Sequence, residues 1–419
     1  MEEQEYTVQK SRLIESQKNT FFKKLLSRFL IYQIIRVSNL ITILFSYKNK
    51  KTGESPNKKK FVFMGRFESD NWIAAHIKPL AKSNVCEHIW IVADKKMLEI
   101  ENVTYVTPSP IIQKIFGSIS ARTYTAYRVT KRNNVDYVGG FHLLLNGIFA
   151  NVIARMNAAK SIYFCVGGWS EIVGGGVYSG TPIFKDSGKH DCILEERLIS
   201  YIKTVDLVVT MGNKAKSYLE NKQVKNVVVN PGGIDKSVFE NFSREKSSDL
   251  ILVARLDPVK RVDRFLIIVE QLKLKLPNIS ALVVGGGNRL KEYELLSQQL
   301  GLDKNVTFTG ATVDVTSHLV DSRVFVLTSD SEGLPLSCME AATLGLPIIA
   351  SDIGDLSDLI ESGKTGYLIN KEDISEFVDK LYLLLTNKKL AERVSLDALH
   401  KSEKFTLQAA SMIWEKVIN

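Results

Sequence analysis

One stretch decides the fold of this 419-residue chain: residues 323–336, RVFVLTSDSEGLPL. An apolar run typical of a buried parallel strand passes here into a Gly-Leu-Pro sequence and then into a helix-forming segment. Pro is tolerated at the start of a helix because its missing N–H is not needed there, and the remaining free N–H groups bind phosphate. Glu332 lies in the loop and Glu340 about one turn into the helix, so the two carboxylates can reach a sugar and a ribose of one bound molecule. Alone, the pair also fits an exposed loop Glu and a solvated helix Glu.

Two further strand ends lie upstream. Residues 249–254, DLILVA, predict a buried strand that ends in a loop containing Arg255 and Lys260. A planar Arg fork and a mobile Lys charge together suit a diphosphate, although a solvated basic loop has the same composition. Residues 280–284 predict another strand, which ends in Gly-Gly-Gly-Asn at 285–288, where missing Cβ atoms let a ligand approach the backbone.

Four motifs in chain order resemble the C-terminal half of family 4 glycosyltransferases of the GT-B fold: the loop 255–260, the turn 285–288, the segment 305–310 (NVTFTG), and the pair Glu332 and Glu340. The similarity extends through 341–350 and 363–369, which look like the family's strand after the second Glu and its following Gly-hairpin. Residues 230–235 with Phe239 are similar to the family's interdomain segment. The resemblance implies an α/β GT-B fold, in which two Rossmann-like doubly wound domains face each other across a cleft.

The resemblance also implies roles for individual residues. Arg255 and Lys260 would bind the nucleotide diphosphate, Glu340 the ribose hydroxyls, and Glu332 the donor sugar. His142 follows a predicted strand, as a His does in relatives, and is either catalytic or structural. The donor-binding candidates are Glu340, Gly333, Leu334, Pro335, Leu336, Gly286, Gly287, Asn288 and Gly310.

Composition agrees with two domains. A chain of 419 residues is too long for one core, and 45% hydrophobic with 24% charged residues is ordinary for a soluble α/β protein. The N-terminal half supplies strand candidates separated by helix-length stretches, at 61–64, 89–92, 135–138, 161–164, 206–209 and 226–229. The predicted organisation is a basic amphipathic membrane-associating segment at 1–55, an acceptor-side domain at 56–236, a nucleotide-sugar-binding domain at 237–404, and a helix at 405–419 that packs back on the N-terminal domain.

The acceptor side departs from the family. Residues 65–72, GRFESDNW, replace the Gly-Gly turn of many relatives, which makes Arg66 an acceptor-side candidate. Relatives often place a second His after the next strand, but this chain has a Gly-rich loop with Trp169, Ser170 and Glu171, which are further acceptor-side candidates. Trp169 either stacks on a sugar ring or fills the core of a Gly-rich turn.

Neither a metal nor a cofactor is expected. The four Cys, at 86, 165, 192 and 338, have no paired spacing, which argues against a zinc site or a disulfide framework and suits a reducing compartment. Asp352, Asp355 and Asp358 recur every third residue, but in the family this region frames the sugar pocket. Nucleic acid is not an expected partner, because no stacking aromatic residues alternate with the basic clusters.

The first fifty or so residues carry a different pattern. Residues 25–45 are mostly apolar, with one polar stripe at helical spacing formed by Arg28, Arg36, Asn39, Thr42 and Ser46, and Lys residues flank the segment. A spanning helix would bury both Arg at roughly 2.5–3.5 kcal/mol each, so a helix lying in the interface of an anionic membrane is favoured. The net charge of +9 supports that partner. A true membrane anchor and a helix docked on the protein's own core are the alternatives.

These features together with the resemblance predict a metal-independent hexosyltransferase, peripheral to the cytoplasmic face of a membrane, and the resemblance implies that it retains the anomeric configuration. It would move a sugar from a nucleoside diphosphate donor to a lipid-linked or polysaccharide acceptor in cell-surface glycan biosynthesis. The alternatives are a GT-B sugar-nucleotide epimerase or hydrolase, and a catalytically silent membrane-bound GT-B scaffold.

Overall fold

The structure, a computed structural model, describes residues 26–45, 58–67, 69–176, 190–239, 246–312 and 314–418. Its two parallel sheets, each with helices on both faces, confirm the predicted α/β fold. The Lys residues expected to flank the N-terminal helix at positions 23, 24, 48, 50 and 51 lie outside the described residues.

The N-terminal domain is built on the strands β1 (Lys59–Met64), β2 (Cys86–Val92), β3 (Val103–Val106), β4 (Tyr137–Phe141), β5 (Lys160–Cys165), β6 (Leu207–Thr210) and β7 (Val227–Val229). They form a seven-stranded sheet in the order β3-β2-β1-β4-β5-β6-β7. The order reverses between β1 and β4, and such a switch point opens a crevice at the carboxyl ends of the strands.

The helices of this domain are α1 (Leu26–Phe45), α2 (Asp70–His76), α3 (Lys78–Ala81), α4 (Pro110–Asn133), α5 (Ile148–Met156), α6 (Cys192–Ile202) and α7 (Asn213–Asn221). Alternate side chains of β1 enter separate cores: Phe61 and Phe63 pack toward α2 and α3, whereas Val62 and Met64 pack toward α4 and α5. The apolar runs of the sequence are explained by this burial on both faces.

The C-terminal domain contains the strands β8 (Ser248–Val253), β9 (Ala281–Val284), β10 (Val306–Gly310), β11 (Ser322–Leu327), β12 (Ile348–Ser351) and β13 (Gly366–Ile369). Its six-stranded sheet has the order β10-β9-β8-β11-β12-β13, so its switch point lies between β8 and β11. Its helices are α8 (Val262–Lys275), α9 (Leu290–Gln299), α10 (Val315–Val320), α11 (Leu336–Thr343), α12 (Ile374–Thr386) and α13 (Lys388–Ser402).

The last helix, α14 (Leu407–Ile418), lies on the N-terminal domain. Its Trp414 is buried in the same core as Phe61, with its ring 5.9 Å from that of Phe164, and Glu415 accepts a hydrogen bond from the Asn84 backbone. The chain thus crosses between the domains a second time.

Three sequence expectations differ from the structure. The edge strand β3 was not among the strand candidates, because four residues of mixed polarity give little signal. β4 begins at Tyr137 and continues to Phe141, whereas 135–138 was expected. The segment 363–369 is not a hairpin, since β13 pairs in parallel with β12 and its glycines form the turn before the strand.

The helix α1 docks on the N-terminal domain along one side. Ile31 and Ile35 are each 1% exposed and pack in the core that contains Tyr163 and Leu198. At the same end of the helix, Tyr32 donates a hydrogen bond to Asp191, the residue that caps α6. α1 therefore rests on the protein's own core, as one of the three sequence alternatives states.

The polar stripe of α1 is partly in contact with the protein. Thr42, a member of the polar stripe, is buried at 3% exposure, and Arg28 of the same stripe pairs with Asp191 at 3.9 Å. Two members of the stripe thus contact the protein, whereas Arg36 is exposed and Ser46 lies outside the described residues. By length and composition α1 is apolar enough to cross a membrane, with a mean hydropathy of 1.4 over 20 residues.

Candidate active site

Four predicted residues lie at the two switch points. In the C-terminal domain, Arg255 follows β8 and Glu332 follows β11. In the N-terminal domain, Arg66 follows β1 and His142 follows β4. Because carboxyl ends of neighbouring parallel strands meet at one edge, each pair lies beside a crevice where ligands of open α/β sheets bind.

Lys260 and Glu332 form an ion pair. The Lys260 Nζ donates to the Glu332 carboxylate at 2.6 Å, and the two side chains are 18% and 10% exposed. Two hydrogen bonds join the loop after β8 to the loop after β11. The Thr328 hydroxyl donates to the backbone carbonyl of Arg261, and the Asp330 N–H donates to the Val259 carbonyl. The structure therefore brings the predicted diphosphate cation and sugar carboxylate into direct contact.

Arg255 stands farther out. Its side chain is 66% exposed and forms an ion pair of 3.0 Å with Asp257. The guanidinium is thus largely exposed at the rim of the site, where it is accessible to a phosphate group.

The Gly-rich turn 285–288 packs so closely on its neighbours that two of its positions require glycine, which the sequence did not predict. A Cβ on Gly287 would collide with the Leu256 carbonyl, and a Cβ on Gly285 with the Ala254 carbonyl, because the turn lies directly on the Arg255 loop. Gly286 accepts a hydrogen bond from the Leu256 N–H. Asn288 is exposed beyond it, and Gly310, at a φ of 71°, ends β10 beside this turn.

The start of α11 faces the other domain. Pro335 precedes the helix with φ −66° and ψ 132°, and Leu336 is its first residue, as the sequence predicts. A Cβ on Gly333 would collide with the Val166 carbonyl of the N-terminal domain. Leu334 is buried, so its side chain is not open to a ligand.

Glu340 sits one turn into α11. Burial raises its pKa to about 7, and a hydrogen bond from Asn71 partly opposes that shift. The Asn71 Nδ2 lies 3.3 Å from the Glu340 carboxylate and belongs to α2 of the opposite domain. Glu340 is therefore a carboxyl group that exchanges its proton near neutral pH.

His142 lies at the carboxyl end of β4 beside a buried carboxylate. Its side chain is 53% exposed, and its Nδ1 is 2.8 Å from the Glu171 Oε1. Burial alone would lower the pKa of His142, but the charge and hydrogen bond of Glu171 raise it above its ordinary value. Glu171, an acceptor-side candidate from the sequence, is only 4% exposed, and its carboxylate is bonded within the protein.

Trp169 and Ser170 belong to the helical turn Gly168–Glu171, which follows β5. Trp169 is 39% exposed, with its ring 6.3 Å from that of Tyr218, so it is not a core residue and has a face open to a ligand. The Ser170 hydroxyl donates to the Gly167 carbonyl within its own turn. Arg66 is exposed next to the buried Phe67.

The sequence did not reveal a contact between the domains at α7. The N-cap position of α7 is Gly212, which has no side chain, and the Asp355 Oδ1 of the C-terminal domain accepts from the Ala215 N–H at 3.1 Å instead. Asp358 accepts from the Asn213 N–H at 2.7 Å. Two of the regularly spaced Asp residues thus cap a helix of the opposite domain.

A metal site is not built into the described part of the chain. Among the residues described, no group of three His, Cys, Asp or Glu side chains could hold a metal ion. All four Cys are free thiols, and three of them are buried.

The chain is similar to known glycosyltransferases. Residues 233–399 match the family Glycosyl transferases group 1. The O-antigen biosynthesis glycosyltransferase WbnH of Escherichia coli is 27% identical over 314 residues, covering 74% of this chain and 83% of that protein. An uncharacterized glycosyltransferase of Haemophilus influenzae is 26% identical over 219 residues, and the match spans 52% of this chain but only 62% of the relative's length.

The fold is shared with a solved structure. HepE of Anabaena, in complex with UDP and glucose, superposes with a TM-score of 0.67 at 14% identity, covering 84% of this chain and 97% of HepE. The match at this identity concerns the two-domain fold, while the family match concerns the domain that contains Arg255, Lys260, Glu332 and Glu340. The chain therefore has the two-domain GT-B fold, and its residues 233–399 are similar to a group 1 glycosyl transferase domain.

Proposed function

We propose that this chain transfers a hexose, with retention of anomeric configuration, from a nucleoside diphosphate sugar to a lipid-linked or polysaccharide acceptor in cell-surface glycan biosynthesis. The observation that carries the proposal is the Lys260–Glu332 ion pair, which lies at the switch point of the C-terminal sheet, next to the start of α11. Support for the donor class comes from HepE, which was solved with UDP and glucose, and support for the pathway class from WbnH, named for O-antigen biosynthesis.

The Lys260–Glu332 ion pair opens when the donor binds. Lys260 carries a compact charge that a diphosphate can attract, and the N–H groups at the start of α11 add positive potential at the same place. Once Lys260 pairs with phosphate, the Glu332 carboxylate is released to accept hydrogen bonds from hydroxyl groups of the sugar. Arg255, at the rim, supplies a second charge for the diphosphate.

Glu340 provides the corresponding contact for the ribose. Its hydrogen bond from Asn71 occupies the carboxylate without a ligand, and a ribose diol replaces that donor when the nucleotide binds. A carboxyl group with a pKa of about 7 ionises readily when two hydroxyl donors approach it.

Sugar transfer proceeds by front-face attack. The bond between the anomeric carbon and the diphosphate oxygen breaks, the acceptor hydroxyl forms the new glycosidic bond on the same face, and a leaving phosphate oxygen takes the acceptor's proton. We favour this route because the buried Glu171 is saturated with hydrogen bonds and the released Glu332 is occupied by hydroxyl groups of the sugar, so neither serves as a nucleophile. Lys260, Arg255 and the helix amides stabilise the charge of the leaving group.

The membrane location rests on the exposed side of α1. The side of the helix opposite Ile31 and Ile35 exposes apolar side chains to more than half of their area, namely Leu26, Phe29, Leu30, Val37, Leu40, Ile43 and Leu44. A second exposed apolar cluster, Ile111, Ile115 and Phe116, begins α4, which covers the same face of the sheet. An anionic membrane surface fits an apolar helix face next to a chain with net charge +9.

The test is a binding screen followed by a turnover assay. Purified protein is scanned for thermal shift against a panel of nucleoside diphosphate sugars, and each stabilising donor is then offered with membrane-lipid extracts as acceptor. Transfer that Glu332→Gln abolishes supports the proposal. Release of free sugar without transfer, epimerised donor, or donor binding without any turnover would instead indicate the hydrolase, the epimerase or the silent scaffold.

A further inference from the structure

Glu171 is buried in the Gly-rich loop, and each of its two carboxylate oxygens has two hydrogen-bond partners. Oε1 accepts from the Gly167 N–H at 2.5 Å and lies 2.8 Å from the His142 Nδ1. Oε2 accepts from the Tyr163 hydroxyl at 2.9 Å and from the Leu143 N–H at 3.1 Å. A buried carboxylate is costly unless its oxygens are paired, and here four donors offset that cost.

The backbone at His142 is held in an unfavourable conformation. Its φ of 64° with ψ of 141° is a region that residues with a Cβ rarely occupy. Such a conformation persists only when the surroundings fix it, and the Glu171 carboxylate does so by pairing with the His142 ring and by accepting a hydrogen bond from the N–H of the next residue. Because Nδ1 faces the buried carboxylate, Nε2 lies on the exposed side of a half-exposed ring.

The loop that carries Glu171 touches the donor side of the cleft. A Cβ placed on Gly168 would lie 3.6 Å from the Gly333 Cα and 3.7 Å from the Glu332 carbonyl oxygen. Glu171 fixes this loop through the Gly167 N–H. One carboxylate therefore connects the His142 ring to the backbone that contacts the Glu332 loop.

We propose that Glu171 is a positioning residue, which holds the His142 imidazole by Nδ1 so that Nε2–H points into the cleft, and which fixes the Gly167–Gly168 turn against the Glu332 loop. The inference rests on the proposed transferase function, in which Nε2–H donates a hydrogen bond to the transferred sugar. Glu171 itself touches neither donor nor acceptor.

The charges around His142 favour a protonated ring. Glu171 is the ionised neighbour, and its own pKa, which burial alone would raise, is lowered by the charge and hydrogen bond of His142. Tyr163 and Cys165 on β5 stay neutral, because burial raises the pKa of each well above its ordinary value. The imidazolium thus persists to higher pH than in a free His and is lost as the pH rises through the raised pKa.

The experiment measures the titration of His142 directly. The chain has six His, so the Cε1–H signal of His142 is assigned by its loss in His142→Asn and then followed by NMR against pH in the full-length protein. We expect a midpoint above the ordinary value of about 6.5 in the wild type and a lower midpoint in Glu171→Gln, which removes the charge but keeps the shape. The alkaline limb of kcat should move to lower pH in that variant.

Steady-state kinetics distinguish a positioning role of Glu171 from a role in donor binding. Glu171→Gln should lower kcat by roughly 10- to 100-fold, the cost found when a residue that orients a functional His is lost. The donor KM should stay within about twofold, since the nucleotide is held by the other domain. Tyr163→Phe is the matched control: it removes one donor to Glu171 and should lower thermal stability without moving the His142 midpoint or the alkaline limb.

The inference is overturned if the wild-type midpoint lies at or below the ordinary value, a result that requires no variant to fold. It is also overturned if Glu171→Gln leaves both the midpoint and kcat unchanged. A protein that turns over no donor but shows the expected titration would contradict the proposed function while leaving the Glu171–His142 relationship in place.

Discussion

The Asn71 side chain of one domain donates a hydrogen bond to the Glu340 carboxylate of the other, over 3.3 Å across the cleft. The same cleft is bridged beside α11, where Gly333 lies against the Val166 carbonyl, and at α7, where Asp355 caps the helix. The donor site is therefore assembled in a form in which both domains already contact the residues expected to bind the nucleotide.

Glu340 should make stability depend on pH. Its folded pKa of about 7 lies above its ordinary value of 4.5, so the folded state binds more protons between these values. The free energy of unfolding should therefore fall as the pH rises from about 5 to about 8, and Glu340→Gln should reduce that fall. Urea unfolding at several pH values measures it. Parallel pH profiles for the two proteins would rule out a raised pKa at this position.

Lys260→Ala should weaken binding of the nucleoside diphosphate. It removes a charge-assisted interaction of about 1.5–3 kcal/mol, or roughly 10- to 150-fold in Kd. Arg255→Ala should have a smaller effect in the same direction, because its side chain is 66% exposed. Calorimetric titration measures both. Lys388→Ala, whose side chain is 90% exposed on α13, is the matched control. Equal affinity in Lys260→Ala and the control would remove the diphosphate role from Lys260.

Asp355→Ala should destabilise the protein and loosen the contact between the domains. The loss of a helix cap costs about 0.5–2 kcal/mol, whereas Asp352→Ala, a 53% exposed neighbour in the same loop, should change stability by less than about 0.5 kcal/mol. Urea unfolding gives the energies, and small-angle scattering should show a larger radius of gyration for Asp355→Ala. Unchanged values for both measurements would show that α7 does not depend on this cap.

Substitutions on the exposed side of α1 should affect membrane binding, and substitutions on its buried side should affect stability. The combined change Phe29→Ser, Leu40→Ser and Leu44→Ser alters exposed side chains only, so it should abolish binding to anionic liposomes while leaving the melting temperature nearly unchanged. Ile35→Ala removes a buried contact and should cost about 2–5 kcal/mol. Liposome flotation and thermal unfolding measure the two effects. Undiminished liposome binding by the triple variant would exclude this face as the membrane contact.

Removing α1 altogether is a poorer test of membrane binding. A protein that starts near Lys58 would stay folded only if α1 made no contact with the core. The structure places Ile31 and Ile35 in the core around Tyr163 and Leu198, so truncation should expose that core and reduce stability.

Local patterns predicted most of the fold. The apolar runs that became β8 and β11 are buried on both faces, and the Gly-Leu-Pro sequence before Leu336 does start a helix, because these features depend on neighbouring residues only. The strand ends also predicted which residues lie at the switch points. The short edge strand β3 was missed because it depends on pairing with β2.

The partners of the site residues could not be predicted in the same way. Glu171 lies 29 positions from His142, and Asp355 lies 140 positions from Ala215. Nothing in the residue types fixes which carboxylate meets which donor, because these contacts form only after both sheets are assembled. For the same reason the polar stripe of α1 gave no sign that part of it faces the protein.

The stereochemistry of the product tests retaining sugar transfer. Purified full-length protein is incubated with a nucleoside diphosphate sugar that stabilises it and with a lipid-linked acceptor, and the new glycosidic bond is examined by NMR. We predict one glycoside and one nucleoside diphosphate per turnover, with the anomeric configuration of the donor kept and with no product from Lys260→Ala or Glu332→Gln. An inverted linkage, or nucleotide release with no glycoside formed, would contradict this prediction.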